Sequence, residues 1–250
     1  MKNGMIESTY TDDKTQKYYA WRASNYDDLA EWEQAFHWEA VNMAEAQIGQ
    51  RVLVVACGTG RGIPELAQAV GPTGRVDALD LSEPMIEQAR AKCETSGLGE
   101  QVHFKQGNAK ELPYPDETFD LVYNGYMLDL IPLDGFEPIL KEMQRVLKPG
   151  GKLVLLNMSK PDEKKTFYES IYKWTGIPCR PVLMAPYLKS LGFINVQRVY
   201  RALRPHNLYE RMIGLLWGQE IVSAQKAEKT SITDVNTSVL QDTTIQIIRE

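Results

Sequence analysis

Three glycines at alternate positions, Gly58, Gly60 and Gly62, follow an unbroken apolar run in the stretch RVLVVACGTGRG at 51–62. Glycine lets a chain turn sharply and bring its backbone against a ligand with no Cβ in the way. A carboxylate, Asp80, closes a second apolar stretch, RVDALD, 20 residues after Gly60. An acid at that distance can accept both hydroxyls of a ribose, so the pair points to a ligand that contains a nucleoside. Asp80 has a rival role as the cap of the helix that starts near Glu83. Ser82 is better placed for capping, with Pro84 in the first helical turn.

Glycine spacing narrows the ligand. A pyrophosphate site wants G-x-G-x-x-G, but position 63 is Ile63 and the third glycine comes one residue early. Of two adenosine ligands, a nicotinamide dinucleotide and S-adenosylmethionine, the second has no phosphate and does not need that geometry. Side chains able to move protons are few. The histidines are His37, His103 and His206, and His103 alternates with apolar neighbours in a strand pattern. Cys57, Cys93 and Cys179 lie too far apart in sequence for a metal cluster or a disulfide framework, which fits a reducing cytoplasm and no metal.

The elements that must position these residues alternate strand and helix. Residues 52–56 read as a strand buried on both faces, and Ile63, Leu66, Ala67 and Val70 carry a helical spacing just beyond the glycines. Further on, the pattern predicts helices at 83–97 and 135–147 and strands at 101–106, 118–124, 152–158, 193–200 and 220–224. This is a doubly wound α/β sheet, mostly parallel and seven-stranded, with helices on both faces. Residues 161–191 read as a helical insertion broken at Pro178, Pro181 and Pro186. Residues 226–250 read as a tail outside the core, with a terminal strand at 243–249 as the alternative. Before the sheet, Leu29, Trp32, Phe36, Ala40 and Met43 share one helical face, so Trp32 and Phe36 are expected to pack on the sheet.

The ordered set of motifs resembles the class I S-adenosylmethionine-dependent methyltransferases, over residues 48–225. VACGTG at 55–60 is similar to the family's first motif, Asp80 to its ribose-binding acid, and GNAKELPYPDETFD at 107–120 to the segment that holds adenine. FDLVYNGYMLDLI at 119–131 resembles the fourth strand with its substrate-side residues, and VLKPGGKLVLLN at 146–157 the helix end, Gly-Gly turn and fifth strand. The nearest pattern is that of the ubiquinone and menaquinone C-methyltransferases, through SKP at 159–161 followed by Tyr168 and Tyr172. Those enzymes carry a Phe-Gly-Leu-Arg-Asn type sequence after the fourth strand, where this chain has Asn124, Gly125, Tyr126, Met127 and Leu128. Family members also place an acid where this chain has Val54, and that acid helps organise the methionine end of the cofactor.

The resemblance implies a Rossmann-like methyltransferase fold, S-adenosylmethionine as cofactor and a small-molecule methyl acceptor: quinone-like, phenolic, lipid or another metabolite. It implies that Cys57, Gly58, Thr59 and Gly60 hold the methionine portion, Asp80 and Leu81 the ribose, and Asn108 and Ala109 the adenine. Asn124 and Gly125 would lie near the methyl donor. Residues 1–47 would form a helical lid, with Tyr19 and Tyr26 enclosing the acceptor, helped by Tyr126 and by Arg180 if the acceptor is acidic. His37, Tyr126, Asp129 and His206 are candidates for a base, and a carbon or amine acceptor would need none. The alternative is a catalytically idle cofactor-binding protein that acts through a partner, motivated by Val54.

Composition excludes other classes. The chain has 250 residues, 43% of them hydrophobic, enough for one α/β core. Its net charge is -5 with the two signs interspersed, so no basic groove is expected for a nucleic acid. No apolar run approaches the roughly 20 residues that span a bilayer, and MKNGMIESTY lacks the apolar core of a signal peptide. The expectation is a cytoplasmic monomer or homodimer.

Overall fold

The computed structural model describes residues 4–202, 218–228 and 245–248. The N-terminal part folds into α1 (Asp12–Arg22), α2 (Tyr26–Leu29) and α3 (Gln34–Ala44), with single 3-10 turns at Ala23–Asn25 and Glu31–Glu33. Then come β1 (Arg51–Val55), α4 (Ile63–Val70), β2 (Arg75–Asp80), α5 (Glu83–Thr95), β3 (Val102–Gln106) and β4 (Phe119–Gly125). The second half holds α6 (Phe136–Val146), β5 (Leu147–Ser159), α7 (Phe167–Thr175), α8 (Ala185–Ser190), β6 (Ile194–Ala202), β7 (Gly218–Gln225) and β8 (Ile245–Ile248).

The strands form one sheet in the order β3-β2-β1-β4-β5-β7-β6-β8. The expected doubly wound sheet is present. β1 pairs in parallel with both β2 and β4, while β7 runs antiparallel to β5 and β6. The winding direction reverses between β1 and β4, and in open α/β sheets ligands bind outside the carboxyl ends of the strands at that point. An eighth strand is added at the edge: β8 pairs in parallel with β6, from Arg198↔Ile245 to Arg201↔Ile248. The reading of 226–250 as a tail is therefore corrected at its end, where a run rich in β-branched isoleucine finds an open strand edge.

Alternation along the strands builds a core on each face. Leu53 and Val55 pack with Phe136, Ile139, Leu140 and Met143 of α6. Val52 and Val54 face the other way, onto Ile63, Leu66, Ala67 and Val70 of α4 and Ala40, Val41 and Ala44 of α3. These side chains are 0–7% exposed, and each contributes about 1.5–3 kcal/mol when fully buried if it is a Val, Leu, Ile, Phe or Met.

Two local expectations fail for identifiable reasons. The single helical face from Leu29 to Met43 is broken by the 3-10 turn at Glu31–Glu33, which resets the phase so that α3 buries His37, Ala40, Val41 and Ala44. Phe36 still packs against the core, but Trp32 is 44% exposed and meets Tyr126 edge-on. Within the insertion, Pro186 does not break a helix but lies in the first turn of α8, where its missing N–H is no loss. α7 is started by a capping box between Thr166 and Glu169.

Candidate active site

A cavity opens where β1 and β4 end. Its walls are the glycine turn, the ends of β2 and β4, the loop after β3, and the N-terminal helices. Of the residues singled out by sequence, Tyr19, Tyr26, His37, Cys57, Gly58, Thr59, Asp80, Leu81, Asn108, Ala109, Gly125 and Tyr126 line it.

The glycine turn is shaped as its spacing requires, with Gly58, Gly60 and Gly62 at φ 53°, 88° and 78°. Ala56 sits at φ 52° just before it, a left-handed conformation that is strained for a residue with a Cβ. Asp80 fastens the turn. Its Oδ2 accepts from Gly58 N–H at 2.8 Å and its Oδ1 from Ser82 N–H at 2.8 Å. Ser82 holds the N-cap position of α5, yet its hydroxyl makes no capping bond. Burial raises the Asp80 carboxyl above its ordinary range, opposed by backbone N–H groups of Ser82, Gly58 and Leu81. Each oxygen retains a lone pair for a ligand hydroxyl.

The N-terminal helices are tied over this turn. Asp27 of α2 accepts from Thr59 Oγ1 at 2.6 Å and pairs with Lys92, while Arg61 Nη2 donates to the Asp27 carbonyl at 2.7 Å. Hydrogen bonds from Lys92 and Thr59 overcome partial burial and hold the Asp27 carboxyl below its ordinary value. From α1, Gln16 Nε2 donates to Leu81 O at 3.1 Å and Asp12 pairs with Lys110 at 2.5 Å.

Past the turn the cavity becomes aromatic. Tyr19 and Tyr26 pack with ring centroids 5.7 Å apart, and Tyr126 meets both Trp32 and His37 edge-on at 6.0 and 5.4 Å. Tyr126 has φ 55°, and its hydroxyl is buried with no hydrogen-bond partner. His37 Nδ1 lies 2.7 Å from Tyr123 Oη, and burial with the nearby Arg61 lowers its pKa to about 3. A histidine held neutral this firmly is a weak proton acceptor at neutral pH. Glu33, 7% exposed, accepts from Tyr26 Oη at 3.2 Å, and burial raises its carboxyl to about 8.

Several expected residues are placed elsewhere. Asn124 does not line the cavity: it is fully buried, and its Nδ2 donates to Val55 O at 2.7 Å, joining β4 to β1. Gly60 packs against Ala89 of α5, where an added Cβ would come within 3.0 Å of the Ala89 Cβ. Arg180 is neither a surface residue nor directed at an acceptor. It is fully buried and donates to the carbonyls of Ile6, Asp129 and Ile131 at 2.8, 2.9 and 2.5 Å, binding the N-terminal segment to the loop after β4. Asp129 is buried behind the cavity wall, with Oδ1 unpartnered and its carboxyl raised to about 7 by burial. His103 is exposed on the edge strand β3, and His206 lies outside the described residues.

Sequence reasoning missed Asp27, Glu33 and Arg61. The signal was the cluster of acids among aromatics in NYDDLAEWE, residues 25–33, since a packing face alone does not need them. No group of histidine, cysteine and acidic residues suited to a metal occurs among the described residues, and none of their helices is long and apolar enough to cross a membrane.

Residues 52–151 match a family model described as a methyltransferase domain. The chain is 43% identical to a demethylmenaquinone methyltransferase of Bacillus cytotoxicus over 127 residues, which are 51% of this chain and 52% of that protein. A protein of the same name from Halalkalibacterium halodurans is 42% identical over 127 residues, 51% of each chain. The chain thus spans about half the length of the curated relatives it matches. Among solved structures, the [4+2]-cyclase SpnF aligns with TM-score 0.70 and 19% identity over 90% of this chain and all of that one. A SAM-dependent methyltransferase from Aquifex aeolicus aligns with TM-score 0.58 and 23% identity, over 83% and 98%. These likenesses carry the fold alone, and the cyclase illustrates that a fold does not fix a reaction. The sheet order, the glycine turn and Asp80 agree with the methyltransferase domain matched at 52–151, and over that stretch the chain is similar to S-adenosylmethionine-dependent methyltransferases of class I.

Proposed function

We propose that this protein transfers a methyl group from S-adenosylmethionine to a flat, largely apolar small molecule of quinol or phenol type. One observation carries the reading: Asp80, fastened to the glycine turn, lines the same cavity as the aromatic side chains of Tyr19, Tyr26 and Tyr126. The residues present suit the cofactor. Asp80 keeps lone pairs for the ribose hydroxyls, Leu81, Asn108 and Ala109 border a flat base, and the turn around Cys57, Gly58 and Thr59 has no phosphate-binding spacing. The name of the relatives points to a quinone nucleus, and the aromatic walls suit one.

When bound, the cofactor supplies a sulfonium-activated methyl ready for in-line displacement, so the protein's work is alignment and exclusion of water. Residues 1–47 act as a lid on the core at 48–225, held down by Asp27 on Thr59, Arg61 and Lys92. Tyr126 presents its unpartnered hydroxyl to the acceptor, in a backbone conformation that fixes where the ring points. The three cysteines are free thiols, in keeping with a cytoplasmic setting.

Calorimetry with S-adenosylmethionine and with NAD tests the cofactor. Heat of binding for NAD alone overturns the reading. Incubation with methyl-labelled cofactor, using a metabolite extract and reduced naphthoquinones lacking the ring methyl, then tests catalysis. Saturated cofactor binding with no labelled product overturns catalysis and leaves an idle binding protein.

A further inference from the structure

The geometry points to Glu33, a carboxylate of the lid, as the counter-charge for the ammonium group of the cofactor's methionine end. The inference rests on the proposed cofactor. Glu33 lines the cavity at 7% exposure, and the described residues place no cation within 4.0 Å of it. Its hydrogen bonds come from the neutral hydroxyl of Tyr26, at 3.2 and 3.4 Å. A buried carboxylate facing a cavity without an ion partner is costly unless a ligand brings the cation.

The other charged groups of the cavity are engaged. Asp12 is paired with Lys110, and Asp80 is held by two backbone N–H groups. β1 offers only Val54 to this part of the cavity, so the sheet cannot supply the charge. Beside Glu33 stands Arg61, also in the cavity wall, held by Asp27 and Gln34 but with its Nε, 3.4 Å from Asp27 Oδ1, buried and making no hydrogen bond. An amino acid end, one ammonium and one carboxylate, matches Glu33 and Arg61 as a pair. Because Glu33 belongs to the lid, cofactor binding and lid closure become one event.

The groups facing Glu33 are Arg61 from the turn, Tyr19 from α1, Asp27 and Tyr26 from α2, Tyr123 of β4, Tyr126 and Asp129 after it, and Cys179 from the insertion. Arg61 favours its ionised form, while Asp27 and Asp129 oppose it. Burial raises the Glu33 carboxyl to about 8, so an ammonium that pairs with it at neutral pH displaces a proton.

The test uses the full chain and three ligands: S-adenosylmethionine, S-adenosylhomocysteine, which lacks the sulfonium, and 5′-methylthioadenosine, which lacks the amino acid end. In the Glu33→Gln variant the first two should bind about 10- to 100-fold more weakly, with 5′-methylthioadenosine within about 2-fold of the parent. Equal changes for all three overturn the assignment, as does loss confined to the sulfonium ligand. If the parent protein binds none of the three, the cofactor reading itself fails. A measurement that needs no variant is calorimetry at pH 7 in two buffers of different ionisation enthalpy. S-adenosylhomocysteine should release a proton and 5′-methylthioadenosine none; equal proton release overturns the inference.

Discussion

The buried acid Glu33 should make the ligand-free protein lose stability as pH rises, and Glu33→Gln should remove most of that loss. The folded carboxyl titrates at about 8 against an ordinary 4.5, so between those values the folded state holds a proton that the unfolded chain has released. This contribution is full below pH 4.5, falls as pH rises to about 8, and levels off beyond it, where both states are ionised. At about 1.4 kcal/mol per pH unit, that interval sets a ceiling of about 5 kcal/mol, which relaxation and water entering the cavity reduce to about 2–3 kcal/mol. Asp129, raised to about 7, adds a slope of the same sign at lower pH and is present in both proteins. Glutamine keeps an acceptor for the Tyr26 hydroxyl, so the comparison isolates the charge. Urea unfolding of both proteins from pH 5 to 8.5 should show curves that meet at the acid end and separate at the basic end, the variant being the more stable. Parallel curves would refute the claim that burial of Glu33 outweighs the nearby charge of Arg61.

Other expected outcomes follow from the same geometry. Asp80→Ala should weaken S-adenosylmethionine binding by about 1.5–3 kcal/mol in calorimetry, through lost charge-assisted bonds to ribose and a loosened glycine turn; unchanged affinity would place the site elsewhere. Ala56→Gly should raise the melting temperature by about 1–3 °C, because relief of the φ 52° strain exceeds the added unfolded-state entropy. Arg180→Met should destabilise the fold by about 2–4 kcal/mol in urea by leaving the Ile6 and Ile131 carbonyls without donors, while Asp129 O keeps the backbone N–H of residue 180. That variant should leave the preference between charged and neutral acceptors unchanged in the labelled-methyl assay, whereas a shift would restore Arg180 to the acceptor site.

The sheet was legible in the sequence because its strands are continuous apolar runs punctuated by glycine, and burial on both faces leaves no other use for such runs. Asp80 was legible because a carboxylate at a fixed distance from a glycine turn has a local geometric meaning. The N-terminal region was not. There the 3-10 turn at Glu31–Glu33 changes which face is inward, and no local signal distinguishes Trp32 half-exposed against Tyr126 from Trp32 in a core. Arg180 and Asn124 were misread for a related reason. Both satisfy backbone carbonyls far away in sequence, 174 residues for Arg180 with Ile6 and 69 for Asn124 with Val55, and composition does not reveal such a partner.

Several features that oppose folding lie around the cavity. Ala56 and Tyr126 both have positive φ at the ends of the two central strands, the Tyr126 hydroxyl lacks a partner, and Glu33 and Asp129 are buried acids with raised pKa values. Such strain persists only where surrounding structure over-determines it, and here the two apolar clusters on either face of β1 and β4 do so. Of the N-terminal helices, α3 is packed in the core, but those before it have less to hold them: α1 buries no residue, and its ties to the core, Gln16 to Leu81 and Asp12 to Lys110, are single polar contacts. Their closure therefore has little stability of its own, and a ligand that satisfies groups on both the lid and the sheet shifts the equilibrium by its differential affinity for the closed state. A ligand that touches only Asp80 and the glycine turn leaves that equilibrium nearly unchanged. The amide protons of residues 12–37 should accordingly gain protection from exchange with S-adenosylhomocysteine and little with 5′-methylthioadenosine, and equal protection would show that the adenosine end alone closes the lid.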